Sequence, residues 1–343
     1  MKCINKRKRM FTGKRKVWKK RRKRNLRGLF LVPIIALIGF GVVYWMNSRI
    51  SVVAFESDSY GTHIYQSTLP VDDLCVTTEN VASDAFQTED ELHAAALFQV
   101  DEANILYAQN IHEKIYPAST TKIMTAYLAI KYGNLSDIVT VSENAVAVPL
   151  DSSRAGLCTG DQLPLEALLY GLMLPSGNDS AVAIAEYISG SEEAFTELMN
   201  DEAQKLGATN SHFVTSHGYH DENHYTTAYD LYLIFNECVK YDKFLEVISA
   251  SEYATNITQA NGTYRKVLWR QTNLYVNGTR QVPESLTVVG GKTGTTDEAG
   301  ACLILYSKDS QSHPYISIVM GADTKVVLYD NMTKLISAIN ISQ

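Results

Sequence analysis

Three short runs in this chain of 343 residues pair side chains in ways that could carry acyl transfer. The first is Ser119-Thr120-Thr121-Lys122, the only S-x-x-K in the sequence. A serine hydroxyl is a weak nucleophile until something takes its proton. Residues i and i+3 of a helix share a face, so Lys122 stands beside Ser119. Burial and nearby cations can lower a lysine pKa until the neutral amine serves as base. A helix N-terminus would also favour the negative charge that develops. Read alone, the run is more simply a capping serine followed by a surface lysine. The second run is Ser176-Gly177-Asn178, behind Pro175 and between two apolar helical patterns. Its hydroxyl and amide could relay a proton and hold a substrate amide; its plainer reading is a helix N-cap. Ser142-Glu143-Asn144 has the same spacing but lies in a valine-rich stretch and reads as an ordinary turn or cap. The third run is Lys292-Thr293-Gly294, again unique, followed by Thr295. Small residues there let a ligand approach the backbone, and Lys292 offers a cation for a carboxylate. A Gly-rich hairpin edge is the plainer reading, and the P-loop spacing is absent.

The elements that must position these runs follow from periodicity. Residues 95–100 and 105–108 read as two strands around a polar turn. Ile123, Tyr127 and Ile130 then recur with helical spacing up to Gly133. A second helix opens at Pro164 and carries Leu165, Leu168, Leu169 and Leu172. A third runs from Asn178 to Ile188. A fourth is capped by Ser191 and stopped by Gly207. A fifth starts near Thr227. Strands return at 286–290, 301–306 and 315–320, and a last helix holds Val327 to Ile336. Strands at both ends of a helical middle predict one α/β (α+β) body whose sheet gathers both chain ends.

Charge divides the chain. Residues 1–28 hold 15 Lys and Arg and no acid; the other 315 residues hold 16 basic and 37 acidic side chains. An acidic body argues against nucleic-acid binding, which needs clustered cations. Leu29–Met46 is an uncharged run of 18 residues ending in Tyr44 and Trp45. As a helix it would span about 27 Å, close to the hydrocarbon core of a bilayer. The expected order is therefore a basic cytoplasmic arm (1–28), a retained transmembrane anchor (29–46), a polar stalk or linker (47–91) and an extracytoplasmic body (92–343). Cleavage after Val52-Val53-Ala54 is the competing expectation. Of five cysteines, Cys3 falls on the cytoplasmic side. Cys75, Cys158, Cys238 and Cys302 could pair in three ways or stay as buried thiols. His217, His220 and His224 lack H-E-x-x-H and read as a solvated loop rather than a zinc site.

Taken together and in order, the three runs match the set of penicillin-interacting serine enzymes. The stretches 117–126, 172–181, 224–231 and 291–296 resemble the low-molecular-mass penicillin-binding proteins, the serine-type D-alanyl-D-alanine carboxypeptidases of peptidase family S11. The resemblance covers roughly residues 92–340. It implies a β-lactamase/transpeptidase-like body, an antiparallel sheet with helices on both faces. It implies Ser119 as the acylated nucleophile, Lys122 as base, Ser176 as proton relay and Asn178 on the substrate amide. It places Lys292 on the terminal carboxylate, within the strand Lys292-Thr293-Gly294-Thr295, and the backbone N–H groups of Ser119 and Thr295 in the oxyanion hole. It implies no metal or cofactor, a peptidoglycan pentapeptide as substrate and β-lactams as covalent inhibitors. Many such proteins carry a further β-rich domain and a C-terminal anchor; the 49 residues after Gly294 are expected to be used by strands and one helix. A class A β-lactamase would need a deacylating glutamate, and the only E-x-x-x-N between the second and third runs is Glu252 to Asn256. A penicillin-sensing domain would normally bring several membrane spans, where this chain offers one.

Overall fold

The computed structural model describes residues 74–88 and 92–340. The basic arm, the Leu29–Met46 segment and Cys3 lie outside them. Among the described residues no helix is long and apolar enough to cross a membrane.

Strands β1 (Ala94–Gln99) and β2 (Asn104–Gln109) form an opening hairpin. A 3₁₀ turn, Ala118–Thr121, leads directly into α1 (Lys122–Tyr132). Short elements follow: β3 (Ile138–Thr140), α2 (Glu143–Val146) and β4 (Gln162–Pro164). The helical middle continues with α3 (Leu165–Met173), α4 (Asn178–Ser189), α5 (Glu192–Lys205), α6 (Ala228–Cys238) and α7 (Asp242–Ser249). A hairpin of β5 (Glu252–Thr258) and β6 (Tyr264–Arg270) precedes β7 (Thr287–Thr296), β8 (Gly300–Lys308), β9 (Pro314–Ala322) and α8 (Lys325–Ser337).

The main sheet has the order β2-β1-β9-β8-β7, antiparallel at each pairing. Strands from both ends of the body thus pair, as the sequence predicts. Alternate residues of its central strands enter opposite cores. Ala96, Phe98, Ile304, Ile316 and Ile318 join the helical middle on one face. Leu97, Leu303, Leu305 and Val319 pack with Leu328, Met332 and Leu335 of α8 on the other. Helices therefore cover both faces. A second sheet, β3-β4-β5-β6, is an element that periodicity did not reveal.

The helix boundaries follow local chemistry. Ser191, Thr227 and Thr324 accept a backbone N–H three residues on, as N-caps do. Ser142 does the same for α2, so the second S-x-N is a cap. Gly190 and Gly207 take left-handed backbone after their helices. Residues 74–88, which composition places in the stalk, lie on the body instead. Cys75 is fully buried and its N–H donates to the Tyr232 hydroxyl; Phe86 is buried, and Val81 pairs with Ala108. Their polar neighbours hide these anchors in the sequence. The thiols of Cys75, Cys158, Cys238 and Cys302 are all free.

Candidate active site

The 3₁₀ turn sets the first motif. With three residues per turn, side chains at i and i+3 are eclipsed. Lys122 Nζ accordingly lies 2.9 Å from Ser119 Oγ. It also donates to Asn178 Oδ1 at 2.7 Å and to the His217 carbonyl at 2.8 Å. Those two partners can only accept, so a neutral amine that keeps both bonds turns its lone pair to the Ser119 hydroxyl. The surroundings favour the neutral form. Lys122 is fully buried. Burial first, then the charge of Lys292, hold its pKa well below the usual lysine value, against an upward pull from Asp179.

Asn178 opens α4, and Asp179 fastens that helix start. The buried Asp179 carboxylate accepts the N–H groups of Ala155, Gly156, Leu157 and Ser180. Asn178 N–H donates to the Ser153 carbonyl. Ser176 sits just before, with φ at +64°, a backbone that turns its hydroxyl out of the helical path. Its Oγ receives Lys292 Nζ at 2.9 Å; the same ammonium donates to the Thr293 carbonyl at 2.8 Å. Lys292 is buried, and that burial lowers its pKa to about 7. The second and third motifs are therefore joined directly.

Lys292 to Thr295 lie in β7, at the edge of the main sheet. The outer backbone groups of an edge strand are open to an added strand. A Cβ on Gly294 would lie 2.9 Å from the Pro117 carbonyl and 3.1 Å from Ser119 N, so this strand passes against the nucleophile turn. On the other flank, Gly218 has φ +82°, and a Cβ there would come 1.9 Å from the Ala118 carbonyl. Ala118 itself is held at φ +47°.

Two cavities share Ser119, Ser153 and Thr295 in their walls. The smaller, ≈ 160 Å³, is also lined by Ser176, Thr272, Thr293, Gly294 and Lys325. The larger, ≈ 390 Å³, is lined by Asn178, Tyr219, His220 and the acids Asp151, Asp297 and Glu298. All eight site residues picked from the sequence thus gather at one place. Sequence reasoning missed Ser153, Asp179, Lys325 and the His217 carbonyl. Neither a backbone acceptor nor a lone lysine at a helix start has a spacing signature.

The histidine run differs from the expected solvated loop: His217 and His224 are buried. Among the described residues no group of three or more His, Cys, Asp or Glu side chains is placed to hold a metal. Glu252 lies in β5, 3.8 Å from Arg270, and lines neither cavity.

The chain is 35% identical over 254 residues to the D-alanyl-D-alanine carboxypeptidase DacF of Bacillus subtilis, covering 72% of this chain and 61% of that one. It spans about three fifths of the length of several such curated relatives. The crystal structure of the Streptomyces K15 DD-transpeptidase superposes with a TM-score of 0.67 at 27% identity, covering 74% of this chain and 98% of that one. Penicillin binding protein 5 of Haemophilus influenzae superposes with a TM-score of 0.64 at 31% identity, covering 73% and 71%. The family model described as D-alanyl-D-alanine carboxypeptidase, peptidase S11, matches residues 81–324. With the three motifs assembled around Ser119 on this fold, the chain belongs to the S11 family of D-alanyl-D-alanine carboxypeptidases.

Proposed function

We propose that this protein is a penicillin-sensitive serine D-Ala-D-Ala carboxypeptidase, trimming the terminal D-alanine from peptidoglycan pentapeptides through an acyl-enzyme on Ser119. The observation that carries the reading is the buried Lys122 amine, 2.9 Å from Ser119 Oγ with its other partners both acceptors.

The substrate chain adds along the free edge of β7, with its scissile carbonyl oxygen toward the N–H groups of Ser119 and Thr295. Lys122 takes the Ser119 proton, and Oγ attacks the carbonyl carbon of the penultimate D-alanine. The C–N bond breaks; Ser176 passes a proton to the leaving amine and regains one from the protonated Lys122, which returns to its neutral form, while Lys292 steadies the Ser176 oxygen. The smaller cavity receives the departing D-alanine. Its carboxylate meets the Thr293 hydroxyl and the Lys325 ammonium, both in that wall. Lys292 acts one step behind, through Ser176, because its ammonium is buried and already bonded. This revises the direct contact with the carboxylate that the resemblance implied. The larger cavity, with Asn178 in its wall, holds the acyl part until water hydrolyses the ester.

The Leu29–Met46 run, with the basic arm before it, supports a retained single-pass anchor in a bacterial cell membrane and a body outside the cytoplasm. The test is to incubate the full-length protein with a pentapeptide ending in D-Ala-D-Ala and assay free D-alanine. Release by the protein and none by Ser119→Ala is expected. Equal release by Ser119→Ala would refute the reading, and rapid turnover of penicillin would replace it with a β-lactamase.

A further inference from the structure

His224 takes no part in the steps above and lines neither cavity. It is nonetheless buried, 2% exposed, behind the nucleophile turn. Its Nδ1 receives the backbone N–H groups of Val214 and Thr215 at 3.1 and 3.3 Å. A ring nitrogen that accepts carries no proton, so in the neutral ring the proton is on Nε2. Nε2 then donates to Thr121 Oγ1 at 2.8 Å. That hydroxyl in turn donates to the Ala118 carbonyl at 2.8 Å.

Ala118 is the residue before Ser119, and its φ of +47° is costly for any side chain but glycine. Such a conformation persists only where its surroundings hold it. The chain from His224 holds its carbonyl, and Gly218 packs closely against both that carbonyl and the Thr121 hydroxyl. Gly218 belongs to the 214–218 strap, whose His217 carbonyl accepts from Lys122. One imidazole therefore ties the strap that seats the base to the turn that seats the nucleophile.

We propose that His224 is a positioning residue for Ser119, acting through Thr121 on the Ala118 carbonyl; this rests on Ser119 being the acylated serine. Stopped-flow acylation of the full-length protein by a fluorescent penicillin separates pre-covalent affinity from the acylation rate constant. Thr121→Val keeps the shape and removes the hydroxyl; His224→Ala removes the ring. Each is expected to slow acylation more than about tenfold while moving the affinity less than about twofold, as misaimed reacting atoms do. His224→Gln, whose amide can donate to Thr121, should recover most of the rate. The double variant should be no slower than the slower single, because both cut one chain. Wild-type acylation in folded Thr121→Val, a loss in affinity instead of rate, or losses that multiply in the double variant would each overturn the proposal. Failure of the Ser119 reading is distinct, since the unmutated protein would then form no adduct at Ser119.

Discussion

Lys292 Nζ lies 2.9 Å from Ser176 Oγ and the lysine is 1% exposed, so the cation of the third motif faces the hydroxyl of the second. Lys325, by contrast, begins α8 as an exposed residue in the wall of the smaller cavity. Lys292→Ala should therefore lower kcat/KM by more than about tenfold on a D-Ala-D-Ala peptide and on its C-terminal amide alike, since ~1.4 kcal/mol suffices. Lys325→Ala should affect only the free carboxylate, by about two- to fivefold, the range of an exposed ion pair. The comparison is kcat/KM for both variants on both substrates. A Lys292→Ala loss confined to the free acid would return the carboxylate to Lys292.

Burial and the nearby Lys122 hold the His217 imidazole at about 3, and burial holds His224 at about 4, both against an ordinary value of 6.5. Around His224, Asp221 favours the charged ring, while His212, His220 and Lys122 oppose it. Below pH 6.5 the unfolded chain takes up protons that the folded chain refuses. The stability contributed by these neutral rings is thus whole above pH 6.5 and declines as pH falls, toward about 4 for His224 and about 3 for His217, at up to ~1.4 kcal/mol per pH unit for each ring. Urea unfolding across this interval should show a shallower acid slope for His224→Gln than for the unmutated protein. An unchanged slope would mean that the ring charges in the folded state as readily as in water.

Gly218 and Gly262 both have left-handed backbone, but their surroundings differ. A Cβ on Gly218 would meet the Ala118 carbonyl at 1.9 Å, whereas nothing lies within 4 Å of one on Gly262. Gly262→Ala should cost about 1–2 kcal/mol of stability from backbone strain alone and leave acylation intact. Gly218→Ala should push the turn before Ser119 and slow acylation by about a hundredfold or more. Thermal unfolding and penicillin labelling of the two variants make the comparison. Normal labelling of Gly218→Ala would show that the strap does not hold the nucleophile turn.

The buried helices were readable because apolar residues recur every three to four positions and caps or glycines punctuate them, as at Ser191, Gly207 and Thr227. The small sheet was not. Strands β3 and β4 have three residues each. In β5 and β6 only Ile257 and Trp269 are buried, so their alternation carries little hydrophobic contrast. The site divides in the same way. Ser119, Lys122, Ser176, Asn178 and Lys292 were visible as spaced pairs of reactive types. Their mutual geometry was not, because Lys122 meets Asn178 across 56 residues and Lys292 meets Ser176 across 116. The internal use of His224 depends on two backbone N–H groups and a threonine hydroxyl, none of which a sequence pattern marks.

The central claim is that Lys122 activates Ser119 for acylation. It is tested most directly by peptide mapping of the full-length protein after exposure to benzylpenicillin. The account predicts one added penicilloyl group on the peptide bearing Ser119. It predicts none in Ser119→Ala, and a rate of addition in Lys122→Ala lower by about a hundredfold or more, the loss of a positioned base. An adduct on another serine, or unchanged labelling without Lys122, would contradict it.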